Sequence, residues 1–383
     1  MTGIRRAIVL SAGGTGGHVF PAQALADTLA KRGLPIALIT DRRASALGGA
    51  LADAETYRIN AAGISGRNIV RRGLAVIQLG FGYFQAKRIL AGIDPLAVVG
   101  FGSYASVPAV LAATSLGKPT VIHEQNAVLG RANRFLAPRV TRIATAFQTV
   151  SHLRDEDKSK TVCTGNPVRP EIVAIASRPY PGIAEGSTVN LLVFGGSLGA
   201  TVFSQVVPDT IAALSASLRN RLRITQQCRA EDIDAVRAVY GAAGVAAELA
   251  SFFNDMPARL AASHLVISRS GASTIAELTA AGRPAILVPY PHATDDHQTK
   301  NAESLCDAGG AWMIPQHAFN RESLTTRLSA LIANPRTLQT TALCAGRIGM
   351  RSAADNLANL VVEVAGGGRY CDGQPDMLRE AAR

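Results

Sequence analysis

Short apolar, β-branched runs alternate along the whole chain with helical stretches of ten or more residues, and this alternation restricts the fold more than any other feature. It predicts strands over 7–10, 36–39, 97–99, 120–122, 191–194, 265–267 and 285–288. Strands that read as continuous apolar runs belong in a parallel sheet covered on both faces by crossover helices. They fall on both sides of a break in which Pro167, Pro170, Pro179 and Pro181 crowd together, a composition that suits a linker. A chain of 383 residues has room for two such domains. The expected class is therefore α/β, with two doubly wound Rossmann-like domains and a cleft between them.

Composition narrows the function classes. Hydrophobic residues make up 48% of the chain and charged residues 17%, too apolar for a disordered protein and too irregular for a coiled coil. The five cysteines, at 163, 228, 306, 344 and 371, include no Cys-x-x-Cys pair, so neither a disulfide framework nor a zinc knuckle is expected and a reducing cytoplasm fits. Residues 1–166 carry 20 Lys/Arg against 9 Asp/Glu, whereas 167–383 carry 19 of each, so the first half holds the whole excess. It concentrates in 56–93 (Arg58, Arg67, Arg71, Arg72, Lys87, Arg88) and 125–154 (Arg131, Arg134, Arg139, Arg142, Arg154), neither of which contains an acid. Such a field predicts an anionic lipid, nucleic acid or phosphorylated substrate. Nucleic acid is disfavoured, because no recognisable module is present and aromatic residues are only 5%. The apolar run after Arg5 and Arg6 is too short for a signal peptide. The 23 uncharged residues 95–117 are long enough for a bilayer, but Gly100, Gly102, Ser103, Tyr104, Ser106 and Pro108 divide them into a strand, a polar turn and a short helix.

Three strand-to-helix loops carry the candidate chemistry. The first is Ser-Ala-Gly-Gly-Thr-Gly-Gly-His at 11–18, whose backbone N–H groups at a helix start suit an anion. It matches neither G-x-G-x-x-G nor the Walker pattern, which argues against NAD and ATP. The second, Gly195-Gly196-Ser197-Leu198-Gly199, offers a hydroxyl and a helix N-terminus to a phosphate. The third runs from Ser268 into a helix containing Glu277, either a carboxylate for a ribose diol or a solvated first-turn acid. His292, Asp295, Asp296 and His297 crowd one loop, where a sugar-binding or solvated role is favoured over a metal, and Asp155-Glu156-Asp157 reads as a charged surface run. Leu74, Ile77, Phe81 and Phe84 share one helical face between basic residues. That face suits either an anionic membrane or the helix's own sheet.

Taken in order, these segments resemble the GT-B glycosyltransferases, most closely the MurG family, which moves N-acetylglucosamine (GlcNAc) from UDP-GlcNAc to lipid I. The resemblance rests on Gly13-Gly14-Thr15-Gly16-Gly17-His18 with Pro21-Ala22, His123-Glu124-Gln125-Asn126 with Gly130 and Asn133, and Gly165-Asn166-Pro167-Val168-Arg169. It continues through Gly195-Gly196-Ser197 with Gly199-Ala200, Arg269-Ser270-Gly271-Ala272 through Glu277, Pro289, Gln298 and Asn301-Ala302. It implies a GT-B fold with a deep cleft. Residues 1–166 would face the acceptor and membrane, helix 350–365 would return to them, 167–349 would bind the donor, and 366–383 would be a flexible tail.

Carried onto this sequence, the resemblance implies that Arg169, Ser197, Phe253, Ala272, Ser273, Thr274, Ile275, Ala276, Glu277 and Gln298 hold UDP-GlcNAc. Thr15, Gly16, Gly17 and Asn126 would face it from the first domain. The acceptor would be undecaprenyl-diphosphate-linked N-acetylmuramic acid (MurNAc) pentapeptide at the cytoplasmic side of the cell membrane, with peripheral binding to an anionic surface. Neither cofactor nor site metal is implied. An inverting displacement needs one base and one stabilised leaving group. His18 is the preferred base, Glu124 the second candidate, and a His after a glycine loop can also serve only to orient it. Leu198 replaces a common Gln of the family, and Phe101-Gly102-Ser103-Tyr104-Ala105-Ser106 departs from its Gly-Gly-Tyr-x-Ser-Gly turn. A soluble acceptor, UDP-GlcNAc 2-epimerase chemistry and a non-catalytic basic binding protein are the alternatives.

Overall fold

The computed structural model describes residues 6–13, 16–41, 48–61, 69–184, 186–196 and 199–366. Contacts divide it into two compact units. One comprises residues up to Arg169 together with those from Arg351 onward, and the other is Pro170–Met350.

In the first unit, β1 (Ile8–Ser11), β2 (Ile36–Thr40), β3 (Glu55–Arg58), β4 (Ala97–Gly100), β5 (Thr120–Glu124), β6 (Arg142–Thr145) and β7 (Thr161–Cys163) form a parallel sheet in the order β3-β2-β1-β4-β5-β6-β7. Ile8 stands opposite Ile36 on one side and Ala97 on the other. Successive side chains leave the strands on opposite faces. Ile8, Leu10 and Leu38 therefore join a core with Leu25, Leu29, Leu357 and Val361, while Ala7, Val9 and Ile39 join another with Ala86, Leu90 and Ile93. Helix Ala353–Gly366 completes the first of these cores and lies against helix Gly16–Lys31. Arg32 fastens it by donating to Asn359 Oδ1 at 2.7 Å and Asp355 Oδ1 at 2.9 Å.

The second unit repeats the plan. Here β8 (Val189–Phe194), β9 (Leu222–Gln227), β10 (Ala247–Ala250), β11 (Leu265–Ser268), β12 (Ala285–Leu287) and β13 (Ala311–Met313) are parallel, in the order β10-β9-β8-β11-β12-β13. The direction of winding reverses beside β1 and beside β8, and sheets of this kind open a crevice at the carboxyl ends of the strands at such a point. Both glycine-rich segments follow those two strands.

The uncharged stretch 95–117 resolves into β4 and the largely buried helix Ser103–Ser115. No helix among the described residues is long and apolar enough to cross a membrane. Helix Ile69–Ile93 runs through Gly80 and Gly82, and Gly82 has a packing reason, whereas a Cβ at Gly80 would meet nothing within 4 Å. A Cβ at Gly82 would collide with the backbone oxygen of Asn60 and come within 3.3 Å of Pro108 Cγ. Gly82, Ala86, Leu90 and Ile93 therefore form the inward face. Ile77, Phe81 and Phe84 point away from it, 56%, 61% and 69% exposed.

One buried cation braces the second unit. Arg283, 1% exposed, donates to the carbonyls of Leu260 and Ala261 at 2.9 Å and to those of Ala281 and Gly282 at 2.8 and 3.2 Å. These are the last carbonyls of helices Met256–Ala262 and Ala272–Ala281, the groups a helix leaves unpaired and at the negative end of its dipole. Its guanidinium also lies 5.6 Å from the ring of Tyr180, whose hydroxyl donates to His264 O at 2.6 Å. Arg283→Met keeps the aliphatic bulk and removes all four donations, with only Leu260 O, among the described residues, retaining bonds from Ser263, so it is expected to cost about 3 kcal/mol of stability. A lower urea midpoint in the fluorescence of Trp312, the sole tryptophan, is the readout, with Arg283→Lys recovering only part of the loss.

Candidate functional site

In the first unit, β1 delivers the chain to Gly13, and helix Gly16–Lys31 begins with Gly16, Gly17 and His18, presenting its N-terminus where the sheet opens. Thr15 lies outside the described residues. Gly13 is fixed by close approach, since a Cβ there would come within 2.6 Å of Ala105 Cβ. Gly102 has a positive φ of 80°, and a Cβ on it would lie 3.4 Å from His18 Cε1 and 3.6 Å from Asn133 Nδ2. Glycine is thus required at 13 by the close approach of Ala105 and at 102 by the positive φ.

The end of β5 supplies two buried polar groups with different tasks. The Glu124 carboxylate accepts four hydrogen bonds, from Asn126 N at 3.0 Å and Asn126 Nδ2 at 3.2 Å on one oxygen, and from Gly130 N and Asn133 Nδ2, each at 2.8 Å, on the other. It is 2% exposed, and its lone pairs are spent on shaping the 124–133 loop and orienting Asn126. Gln125 turns the other way, with its Oε1 3.0 Å from His18 Nδ1. His123, wholly buried behind it, contacts Gly165 O through Nε2 at 3.0 Å and Gln125 Nε2 through Nδ1 at 2.9 Å. Arg169 lies 5.9 Å from the ring of Phe20, which is half exposed two residues beyond His18.

The second unit presents a different set. Gly195 donates to Gln227 Oε1 at 3.2 Å, and a Cβ on it would meet Gly199 C at 2.6 Å, so Gly195 and Gly199 lie close together before helix Thr201–Ala213. Ser197 lies outside the described residues. Arg229 stacks beneath Gly199 and donates to Thr201 Oγ1 at 3.2 Å.

Helix Ala272–Ala281 starts at Ala272, with Gly271 as an extended N-cap. Ser273, Thr274, Ala276 and Glu277 are partly exposed, while Ile275 is buried in the helix's inward face. Gln298 opens helix His297–Asp307, where its carbonyl accepts from Ser270 Oγ at 2.8 Å and its Oε1 accepts from Tyr290 N at 2.9 Å. That second bond directs the amide NH₂ elsewhere as a donor. Arg269 holds the neighbouring turn, donating to Val288 O, Pro289 O and Gln316 Oε1 between the rings of Phe203 and Tyr290. His297 Nδ1 lies 2.7 Å from Thr294 O, and Asp296 Oδ1 accepts from Thr299. No group of three His, Cys, Asp or Glu able to hold a metal occurs among the described residues.

Phe253, expected to hold the donor, has its ring packed into the protein. It is 7% exposed and covered by the Arg259 guanidinium at 4.0 Å, which Glu248 and Asp255 hold in place. The ring free to stack on a flat ligand is its neighbour Phe252, 64% exposed.

Residues 8–145 match the Glycosyltransferase family 28 N-terminal domain, and 190–357 match the C-terminal domain of the same family. The chain is 54% identical over 93% of its length to a curated relative from Paramagnetospirillum magneticum, of which 96% is covered. It is 51% identical over 98% of its length to one from Rhodospirillum centenum, also covered to 98%. Both bear the name UDP-N-acetylglucosamine--N-acetylmuramyl-(pentapeptide) pyrophosphoryl-undecaprenol N-acetylglucosamine transferase. Among solved structures, MurG of Acinetobacter baumannii superposes with a TM-score of 0.75 at 30% identity, covering 94% of this chain and 99% of that one. The chain belongs to the MurG branch of glycosyltransferase family 28. In this MurG framework Gln125, Phe252 and Arg229 are the side chains that sequence reasoning passed over. Gln125 was quoted only as part of a motif, and the choice between Phe252 and Phe253 depends on which ring the turn buries.

The buried His123 carries a pH dependence. Burial outweighs its hydrogen bond to Gly165 O and, with the nearby His18, pulls its pKa from 6.5 down to about 4. An unfolded chain therefore binds a proton that the folded chain refuses. Stability is expected to fall by up to about 3 kcal/mol as pH drops from about 6.5 to about 4, and to gain no further loss from this residue below that. Urea unfolding of His123→Gln followed by circular dichroism across that range should show a correspondingly shallower slope.

Proposed function

We propose that this chain is an inverting transferase that moves GlcNAc from UDP-GlcNAc to the 4-hydroxyl of MurNAc in undecaprenyl-diphosphate-linked MurNAc-pentapeptide (lipid I), giving β-1,4-linked lipid II for peptidoglycan synthesis. The observation that carries the reading is the His18 imidazole, held at a helix start by Gln125 in a chain half identical to enzymes of that name. His18 Nε2 takes the hydroxyl proton as the acceptor oxygen bonds to the anomeric carbon. The bond to the UDP oxygen breaks on the opposite face, and its electron pair leaves with UDP. Glu124 serves as the brace of the loop that carries Asn126, because its four hydrogen bonds occupy it fully.

The second unit takes the donor. Glu277 binds the ribose diol, Gln298 donates from its NH₂ to the sugar, and Phe252 supplies a face for the uracil. The loop around Ser197, the helix start behind it and Arg229 stabilise the diphosphate as charge develops on it. The first turn of helix Ala272–Ala281 completes this set, with Ser273 Oγ, buried and unpartnered among the described residues, available to a ligand.

A lipid-linked acceptor requires the enzyme at the membrane. Ile77, Phe81 and Phe84 form an exposed apolar face on a helix whose opposite side is packed. Lys87 and Arg88 follow them, and Arg67, Arg71 and Arg72 precede them in sequence. We assign this face to peripheral binding at the anionic cytoplasmic surface.

Transfer of labelled GlcNAc to a short-chain lipid I analogue tests the chemistry. His18→Ala is expected to lower kcat by about 10²- to 10⁴-fold with UDP-GlcNAc binding intact, and Glu277→Ala to weaken that binding by about tenfold to a hundredfold. Product from a soluble acceptor, or an epimerised sugar nucleotide without acceptor, would replace this reading. For the membrane face, Phe81→Ser/Phe84→Ser is expected to cut sedimentation with anionic phospholipid vesicles at least about tenfold while leaving UDP-GlcNAc affinity unchanged. Undiminished sedimentation would send the lipid contact elsewhere.

A further inference from the structure

Behind His18 runs a chain of hydrogen bonds whose polarity is fixed from its inner end. His123 Nε2 faces the carbonyl of Gly165 at 3.0 Å, and a carbonyl only accepts, so this nitrogen carries the hydrogen. The ring is fully buried and neutral, which leaves Nδ1 with a lone pair. The Gln125 side-chain nitrogen lies 2.9 Å from that lone pair, 3.1 Å from Phe101 O and 3.0 Å from His123 O. Three acceptors around one end of the amide allow only its NH₂ there, so the opposite end is oxygen and faces His18 Nδ1 at 3.0 Å. An amide oxygen cannot donate. His18 Nδ1 must therefore carry the ring hydrogen.

We infer that Gln125, locked by His123 and Phe101 O, is a positioning residue that holds neutral His18 in the tautomer with an unprotonated Nε2, the form able to accept a hydroxyl proton. Gly165 O sets the direction of the relay at a distance of 42 residues along the chain from His123. Gly102, which takes a positive φ of 80°, brings the turn alongside the ring, with His18 Cε1 and Nδ1 at 3.4–3.5 Å from its Cβ position. The inference rests on the reading of His18 as the general base.

Nitrogen-15 NMR of histidine-labelled protein reads the tautomer directly. The chain has seven histidines, and comparison with His18→Ala identifies the signal. On the neutral ring of the wild-type protein, Nε2 is expected to be the unprotonated nitrogen. Gln125→Met, of similar length but without an acceptor, should shift the ring toward the Nε2–H form and lower kcat about tenfold to a hundredfold, with KM for UDP-GlcNAc unchanged. Gln125→Glu still presents an oxygen to His18 and should keep the wild-type tautomer, with kcat only partly recovered because its second oxygen meets three acceptors. A purely structural Gln125 would move neither the tautomer nor kcat independently of stability, which thermal unfolding of each variant measures. A wild-type ring protonated on Nε2, or a Met variant with the tautomer changed and kcat retained, overturns the inference together with the choice of Nε2 as the accepting nitrogen, while loss of kcat in His18→Ala keeps His18 itself in the reaction. Full activity in His18→Ala overturns the base assignment itself, and the role given to Gln125 falls with it.

Discussion

A parallel strand covered on both faces can present polar chemistry only where it ends, and everything functional in this protein follows from that constraint. The middle of each central strand is spent on the core, as in β1, where every residue is buried. At the carboxyl ends the chain leaves the sheet, helices begin, and unpaired N–H groups gather beside side chains the core has no room for. His18, Glu124 and Gln125 occupy these ends in the first unit. Gly195, Ser270 and Gln298 occupy or follow them in the second. The same arithmetic of burial has produced two sites of different character from one plan.

Within those sites, polar groups divide into those committed to the protein and those left for a ligand. Glu124, Asn133, His123, Arg269 and Arg283 are committed, because each is buried among partners that satisfy it. Such groups are costly to leave unpaired, and once paired they act as rigid spacers for the loops that carry the chemistry. The contrast between Glu124 and His18 shows why residue type alone misleads. A carboxylate is basic enough to take a proton, but with four donors around it Glu124 has no lone pair to offer, whereas one edge of the His18 imidazole is engaged by Gln125 and the proposed reaction uses the other.

Much of this was legible in the sequence. The central strands announce themselves as apolar runs, and the glycine-rich loops after β1 and β8 mark the two switch points; both read correctly as an α/β protein of GT-B type. The strands left unmarked have a common physical reason. β3, β7, β10 and β13 are sheet edges, short and only partly buried, and β6 and β9 place Arg142 and Arg223 toward solvent, which breaks the apolar run. The motifs of the candidate site stand in the sequence, but the orientations of their side chains do not. Nothing in the order Phe252-Phe253 tells which ring a turn will bury, and nothing in His-Glu-Gln-Asn tells which side chain faces the loop and which faces inward. The helix with Ile77, Phe81 and Phe84 admitted two readings until Gly82 fixed its packed side.

Helix Ala353–Gly366 belongs by its contacts to the unit that opens the chain, where Leu357, Ala358, Leu360 and Val361 fill the core beside Ile8 and Leu25. The earliest strands are thus made long before the residues that cover them. During synthesis the opening unit waits, with one sheet face covered only by helix Gly16–Lys31 and its neighbours, while the whole second unit emerges, so the fold that begins first is completed last.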